Sequence, residues 1–333
     1  MIKLIKLFPL LIFVLSSCND DEKTVIPDND TVDDQIGIPS EPISTNVRMF
    51  IYGHSLINHE PPAYPTPSNE TSVPHWMHFL ASESGYNFAA NGQYGFLPQH
   101  RNLPPISQWG FDHVSSIWDS DVQSFQEADF NTILLTAGNF IQYQPATENY
   151  YNEIFSPVNA TTEIFQWSQN QDEEISLYIY ENWPDMAQFI SSQVFEDITA
   201  EEFANYNEYT LNDFHQWWLD YHDAIISELP NAEVKLIPVG PILARLLTEV
   251  EGLNTIPIIS DLYEDDAPHG RPTIYFLAGL VTYMAVYGTQ APADYSVPET
   301  VHESVRNNYI QIVDFIWSEL ESFTDSNGNS RVW

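Results

Sequence analysis

Basic side chains are scarce in this chain: 10 Lys and Arg stand against 47 Asp and Glu, for a formal net charge of -37. A surface this acidic has no basic stripe to neutralise phosphates, which excludes nucleic acid as a partner. Cysteine is rarer still. Cys18 stands alone, so no intramolecular disulfide can form. No repeat appears at solenoid or propeller periods, and glycine, 13 in 333 residues, is too sparse for a collagen-like chain. The longest apolar run, residues 7–15, is too short to cross a bilayer core of about 30 Å as a helix. Against these absences, hydrophobic residues make up 43% of the chain and aromatics 14%. That content excludes disorder and predicts a real core.

The amino terminus carries Lys3 and Lys6, then the apolar run Leu7 to Leu15, then Ser16 and Ser17 directly before Cys18. This resembles a bacterial lipoprotein signal. The resemblance implies cleavage after residue 17, acylation of Cys18 and attachment to a membrane, with the envelope of a Gram-negative bacterium, at its outer membrane, as the expected location. Residues 19–45 are rich in Asp, Asn, Pro and Ser without apolar periodicity and read as a flexible acidic tether. A folded domain is expected over 46–323, followed by a frayed tail over 324–333.

Within that domain, five short apolar runs read as strands buried on both faces: 47–52, 86–90, 131–136, 176–180 and 233–239. Helical candidates lie at 75–84, 185–195, 201–229, 273–287 and 298–323. The alternation predicts an α/β three-layer α/β/α sandwich with a mainly parallel five-stranded sheet. Ligands of such sheets bind beyond the carboxyl ends of the strands, so residues there are the first place to look for chemistry.

Gly53-His54-Ser55-Leu56 follows the first strand directly, which puts the Ser55 hydroxyl at that edge. Serine needs a base within hydrogen-bond reach, and the base needs an acid to hold its tautomer. Asp265-Asp266-Ala267-Pro268-His269 lies far downstream, just before a helix, where an aspartate three residues before a histidine can reach one imidazole nitrogen. Asn139 follows the third strand, and Gly92 and Gly95 follow the second.

In this order, the four blocks resemble the SGNH, or GDSL-like, hydrolases over about 47–323. The resemblance implies Ser55 as nucleophile, His269 as base and Asp266 as the triad acid. It also implies an oxyanion hole built from the amides of Ser55 and Gly95, with Gly92 as the other candidate glycine, and from the Asn139 side chain. His54 stands where the motif usually has Asp, and Ala137 where it usually has Gly. The implied activity is ester hydrolysis through an acyl-serine, requiring no cofactor and no metal. An acetylated polysaccharide is an attractive substrate because tryptophans crowd the expected rim; Trp183 and His54 are the candidate substrate contacts, and His59, also close to Ser55, is a candidate with His54 for shaping the site or binding substrate. A noncatalytic glycan-binding protein on the same fold is the alternative. His215 with His222, and His75 with His78, share helix faces but form no His-Glu-x-x-His motif, so they read as hydrogen-bonded or surface histidines.

Overall fold

Each of the five apolar runs becomes a strand because its alternate side chains have separate cores to enter. The computed structural model describes residues 38–333. Strands β1 (Asn46–Gly53), β2 (Asn87–Tyr94), β3 (Thr132–Leu135), β4 (Ser176–Tyr180) and β5 (Val234–Ile237) form one sheet, ordered β2-β1-β3-β4-β5. Every neighbouring pair is parallel. Val47, Met49 and Ile51 of β1 enter one core with Leu134 and Tyr178, whereas Phe50 and Tyr52 enter the other with Ile133, Leu135 and Ile179. Burial on both faces is what made these runs continuously apolar.

The first core is closed by α1 (Val73–Glu83), α6 (Val239–Glu249), α7 (Pro272–Tyr287) and α9 (Tyr309–Ser322), and the second by α3 (Pro157–Gln169) and α5 (His215–Glu228). The remaining helices are the short α2 (Leu97–His100), α4 (Ala200–Tyr209) and the short α8 (Glu303–Asn307). Helix α7 is buried almost all round, and it approaches α1 so closely that a Cβ on Gly279 would lie 2.5 Å from the Cβ of Trp76. The result is the expected three-layer α/β sandwich.

Several boundaries differ from the sequence reading. The region 185–195 is not a helix: it makes only a short 3-10 turn at Ala187–Phe189, and Gln193 takes a left-handed backbone (φ 59) that no helix accommodates. The expected helix over 201–229 is continuous, but its middle turn, Thr210–Phe214, is wound as a π-helix. The terminal helix is broken at Asn308 into α8 and α9. β2 runs on to Tyr94, so Gly92 lies within the strand.

The tail over 324–333 is docked, not frayed. The Leu236 N–H donates to the Arg331 carbonyl (2.8 Å), Val332 is fully buried, and the Trp333 indole N–H donates to the Ala285 carbonyl (3.0 Å). At the other end, the Ile43 N–H donates to the Tyr287 carbonyl (2.9 Å), so ordered packing begins before residue 46. Residues 1–17, Cys18 and most of the expected tether lie outside the described residues.

Candidate active site

Strand order alone marks a place for chemistry. The chain reverses direction across the sheet between β1 and β3, and loops leaving the carboxyl ends of those two strands diverge to leave a crevice. Ser55 leaves β1 and Asn139 leaves β3, so the two residues flank that crevice.

Ser55 and His269, 214 residues apart in sequence, meet there. The Ser55 hydroxyl donates to His269 Nε2 (2.8 Å), and His269 Nδ1–H donates to a carboxylate oxygen of Asp265 (2.6 Å). The tautomer follows from the network: a carboxylate only accepts, so Nδ1 carries the proton and Nε2 offers its lone pair to the serine. The acid in contact with the imidazole is therefore Asp265, not Asp266. Its second oxygen accepts the backbone N–H groups of Ala267 (3.1 Å) and His269 (2.9 Å), which aims the first oxygen at the ring. Burial opposes ionisation of Asp265, but the bonds from the His269 ring and backbone outweigh it and hold its pKa below the usual carboxylate value. Asp266 instead gives its main-chain carbonyl to the Met186 N–H (2.9 Å), and its carboxylate bonds to none of the described residues.

Two expected substrate contacts are structural. His54 is buried; its Nε2–H donates to the Ala137 carbonyl (3.1 Å). Burial lowers its pKa from 6.5 to about 4, so it is neutral at ordinary pH. Asn182, just beyond β4, donates to the same carbonyl (2.7 Å) and to the Thr136 hydroxyl (2.9 Å), tying the ends of three strands together. Trp183 is also buried, and its indole N–H donates to the Pro268 carbonyl (2.9 Å), bracing the loop that presents His269. Trp76, Trp217 and Trp218 are core residues as well.

The expected oxyanion donors divide. The Gly95 N–H is committed to the Gly53 carbonyl (2.9 Å) and the Gly92 N–H to the Trp109 carbonyl (3.2 Å), so neither glycine offers a free amide. The Ser55 N–H donates to none of the described residues. The Asn139 side-chain amide is buried and its nitrogen has no acceptor. A buried amide without a partner is costly unless something else fills the position.

Asn139 also lines a cavity of about 400 Å³ with Phe140, Tyr143, Asp185, Gln188 and Tyr209. The side-chain amide oxygen of Gln142 in the same wall is buried and unpaired. Phe140 and Tyr143 are exposed, and Phe140 contacts Phe96 edge to face, which in turn packs on His54. Burial, reinforced by Asp266 and Asp265, raises the Asp185 pKa.

Two further groups pack against these residues. His59 stacks on His269 with ring centroids 3.9 Å apart and planes within 11°. The Tyr275 hydroxyl donates to the Ser55 carbonyl (2.5 Å). His59 lies four residues after Ser55, so its nearness to Ser55 is legible in the sequence, whereas Tyr275 belongs to no local motif and no spacing points to it. His215 and His222 serve the framework: His215 pairs with buried Glu181 (2.8 Å), and His222 bonds to the Val234 carbonyl and to Arg331. Among the described residues no group of three or more His, Cys, Asp or Glu side chains is arranged to hold a metal ion.

No family model matches the chain, and no curated protein matches it. Solved structures that resemble it include a protein of the DUF4886 family from Bacteroides uniformis, 12% identical, with a TM-score of 0.44, covering 80% of this chain and 95% of that one. Another is a proposed GDSL-like lipase from Parabacteroides merdae, 11% identical, with a TM-score of 0.40, covering 76% of this chain and 99% of that one. At such distance, the α/β architecture is carried by the strand order and layers themselves.

Proposed function

We propose that this protein is a serine ester hydrolase. The observation carrying the reading is the continuous relay from Ser55 Oγ through His269 to Asp265, with steps of 2.8 and 2.6 Å, at the crevice of a parallel sheet. Ser55 Oγ attacks the ester carbonyl as its proton passes to His269 Nε2, and Asp265 stabilises the imidazolium without itself becoming protonated. The imidazolium then gives that proton to the departing alcohol, and water hydrolyses the acyl-serine by the same route in reverse. The Ser55 N–H and the Asn139 amide are the donors available to the oxyanion.

A carbohydrate ester suits the neighbouring cavity. Exposed Phe140 and Tyr143 offer flat faces to a sugar ring, and Asp185, Gln188 and Asn139 offer hydrogen-bond partners to its hydroxyls. An acetylated polysaccharide is thus the substrate class to test first, with the Cys18 segment as the membrane anchor.

The test is hydrolysis of aryl acetates and acetylated polysaccharides by the wild-type chain beside Ser55→Ala and His269→Ala. Loss of about 10³-fold or more in both variants is expected. One observation favours a second reading, a glycan-binding protein without catalysis: the Gly95 amide is spent within the sheet, leaving two oxyanion donors. Folded wild-type protein that hydrolyses none of these esters and binds the polysaccharide would favour that reading.

A further inference from the structure

The unexplained feature of the site is the second imidazole lying flat on the first. His59 belongs to the insertion between β1 and α1, and both its ends are pinned: its N–H donates to the Thr71 carbonyl (2.9 Å), and its carbonyl accepts the Thr71 hydroxyl (2.7 Å). Its ring is fixed by a third tie, Nε2–H donating to Glu264 (2.5 Å). Glu264 also accepts the Ala63 N–H (3.0 Å), and its own N–H donates to the His269 carbonyl (2.9 Å). The stack therefore clamps the His269 loop against the insertion, with His59 and Glu264 side chains only 15% and 6% exposed.

We propose that His59, held at its edge by Glu264, is a positioning residue: a fixed flat plate that keeps the His269 ring in the plane shared by Ser55 and Asp265. This inference rests on the assignment of His269 as the base. The plate must be uncharged to do this work, because two imidazolium rings at 3.9 Å would repel. Burial and the His269 ring lower the His59 pKa, working against the upward pull of Glu264 and Asp265. Those three residues are the titratable groups facing His59, His269 through the stack and the two carboxylates from the same loop.

Alanine at 59 removes the plate, whereas phenylalanine retains a flat ring that cannot hold a proton. Two readouts on the full chain separate the possibilities. The first is the downfield proton resonance of His269 Nδ1–H, assigned by its loss in Asp265→Asn, which does not depend on any substrate. It is expected to persist in His59→Phe and to broaden or vanish in His59→Ala. The second is kinetic: His59→Ala should lower kcat about tenfold to a hundredfold with little change in KM, as expected for a misoriented base. His59→Phe should stay within about threefold of wild type. In Glu264→Gln the loss of a nearby negative charge should move the acid limb of kcat/KM to lower pH.

A sharp resonance and unchanged kcat in folded His59→Ala would overturn the proposal. So would equal damage in His59→Phe, since flatness would then be irrelevant; this comparison still decides should the alanine variant fail to fold. If Ser55→Ala keeps the wild-type rate, the hydrolase assignment fails, while the resonance still judges whether His59 orders His269.

Discussion

Asp265 and Asp266 are adjacent and chemically identical, yet only one touches the imidazole. What separates them is the turn: two backbone N–H groups close on Asp265, while the Asp266 carboxylate bonds to none of the described residues. Removing charge at Asp265 leaves His269 free to adopt the wrong tautomer. Asp265→Asn is therefore expected to lower kcat/KM by about 10³- to 10⁴-fold, and Asp266→Asn by less than about threefold. The reverse order, measured on any hydrolysed aryl ester, would return the acid to Asp266. At this scale the sequence was legible wherever a residue's place follows from the end of a strand, as with Ser55 and Asn139. It was ambiguous where a side chain's direction depends on turn geometry, as in the Asp-Asp doublet. It placed His59 near Ser55 but was silent on contacts that join distant segments, such as the stack of His59 on His269.

Among the elements, β1, β3, β4 and β5 stood out because both faces of the sheet are covered, whereas β2 carries Asn91 and Gln93 in its second half, so only its first residues read as a strand. Helices were harder. The apolar stripe of α6 follows β5 with no loop signal between them, and Pro184 and Asp185 imitate a helix start that the left-handed Gln193 cuts short. The tail after α9 misled for another reason. Its Asp, Asn, Ser and Gly make a turn, and that turn returns the last residues to the body of the protein. Thr324 pairs with Ser330, Arg331 bonds to Asp223 and His222, and Val332 is fully buried. Burying one valine contributes about 1.5–3 kcal/mol, and deleting 324–333 would also expose the Leu236 N–H at the edge of β5. A truncation after residue 323 should thus cost about 3 kcal/mol, read by urea unfolding. An unchanged midpoint would show that the docked tail contributes nothing to stability.

Across the whole molecule, two electrostatic effects oppose one another as the pH falls. The net charge of -37 makes the folded chain repel itself, and protonating carboxylates relieves that repulsion. Buried histidines act the other way. His54, His75, His100 and His222 are all pushed from 6.5 to about 4, with burial the leading cause in each. Unfolding returns them to the ordinary value, so between those limits the unfolded chain binds up to four protons that the folded chain refuses. These four groups make stability rise with pH and fall on acidification across the same window, against one opposing histidine, His215, which burial lowers but Glu181 raises above 6.5 on balance. Each such histidine adds a slope of about 1.4 kcal/mol per pH unit. The two effects separate with salt, which screens surface repulsion but leaves the cost of charging a buried imidazole almost intact. In high salt, the unfolding free energy measured in urea should therefore drop steeply from pH 6.5 to pH 5. His222→Gln should flatten that drop by about one proton, because only His222, locked neutral between Arg331 and the Val234 carbonyl, is removed. A free energy that stays level or climbs over this range in high salt would mean that the buried histidines take up protons without unfolding the chain.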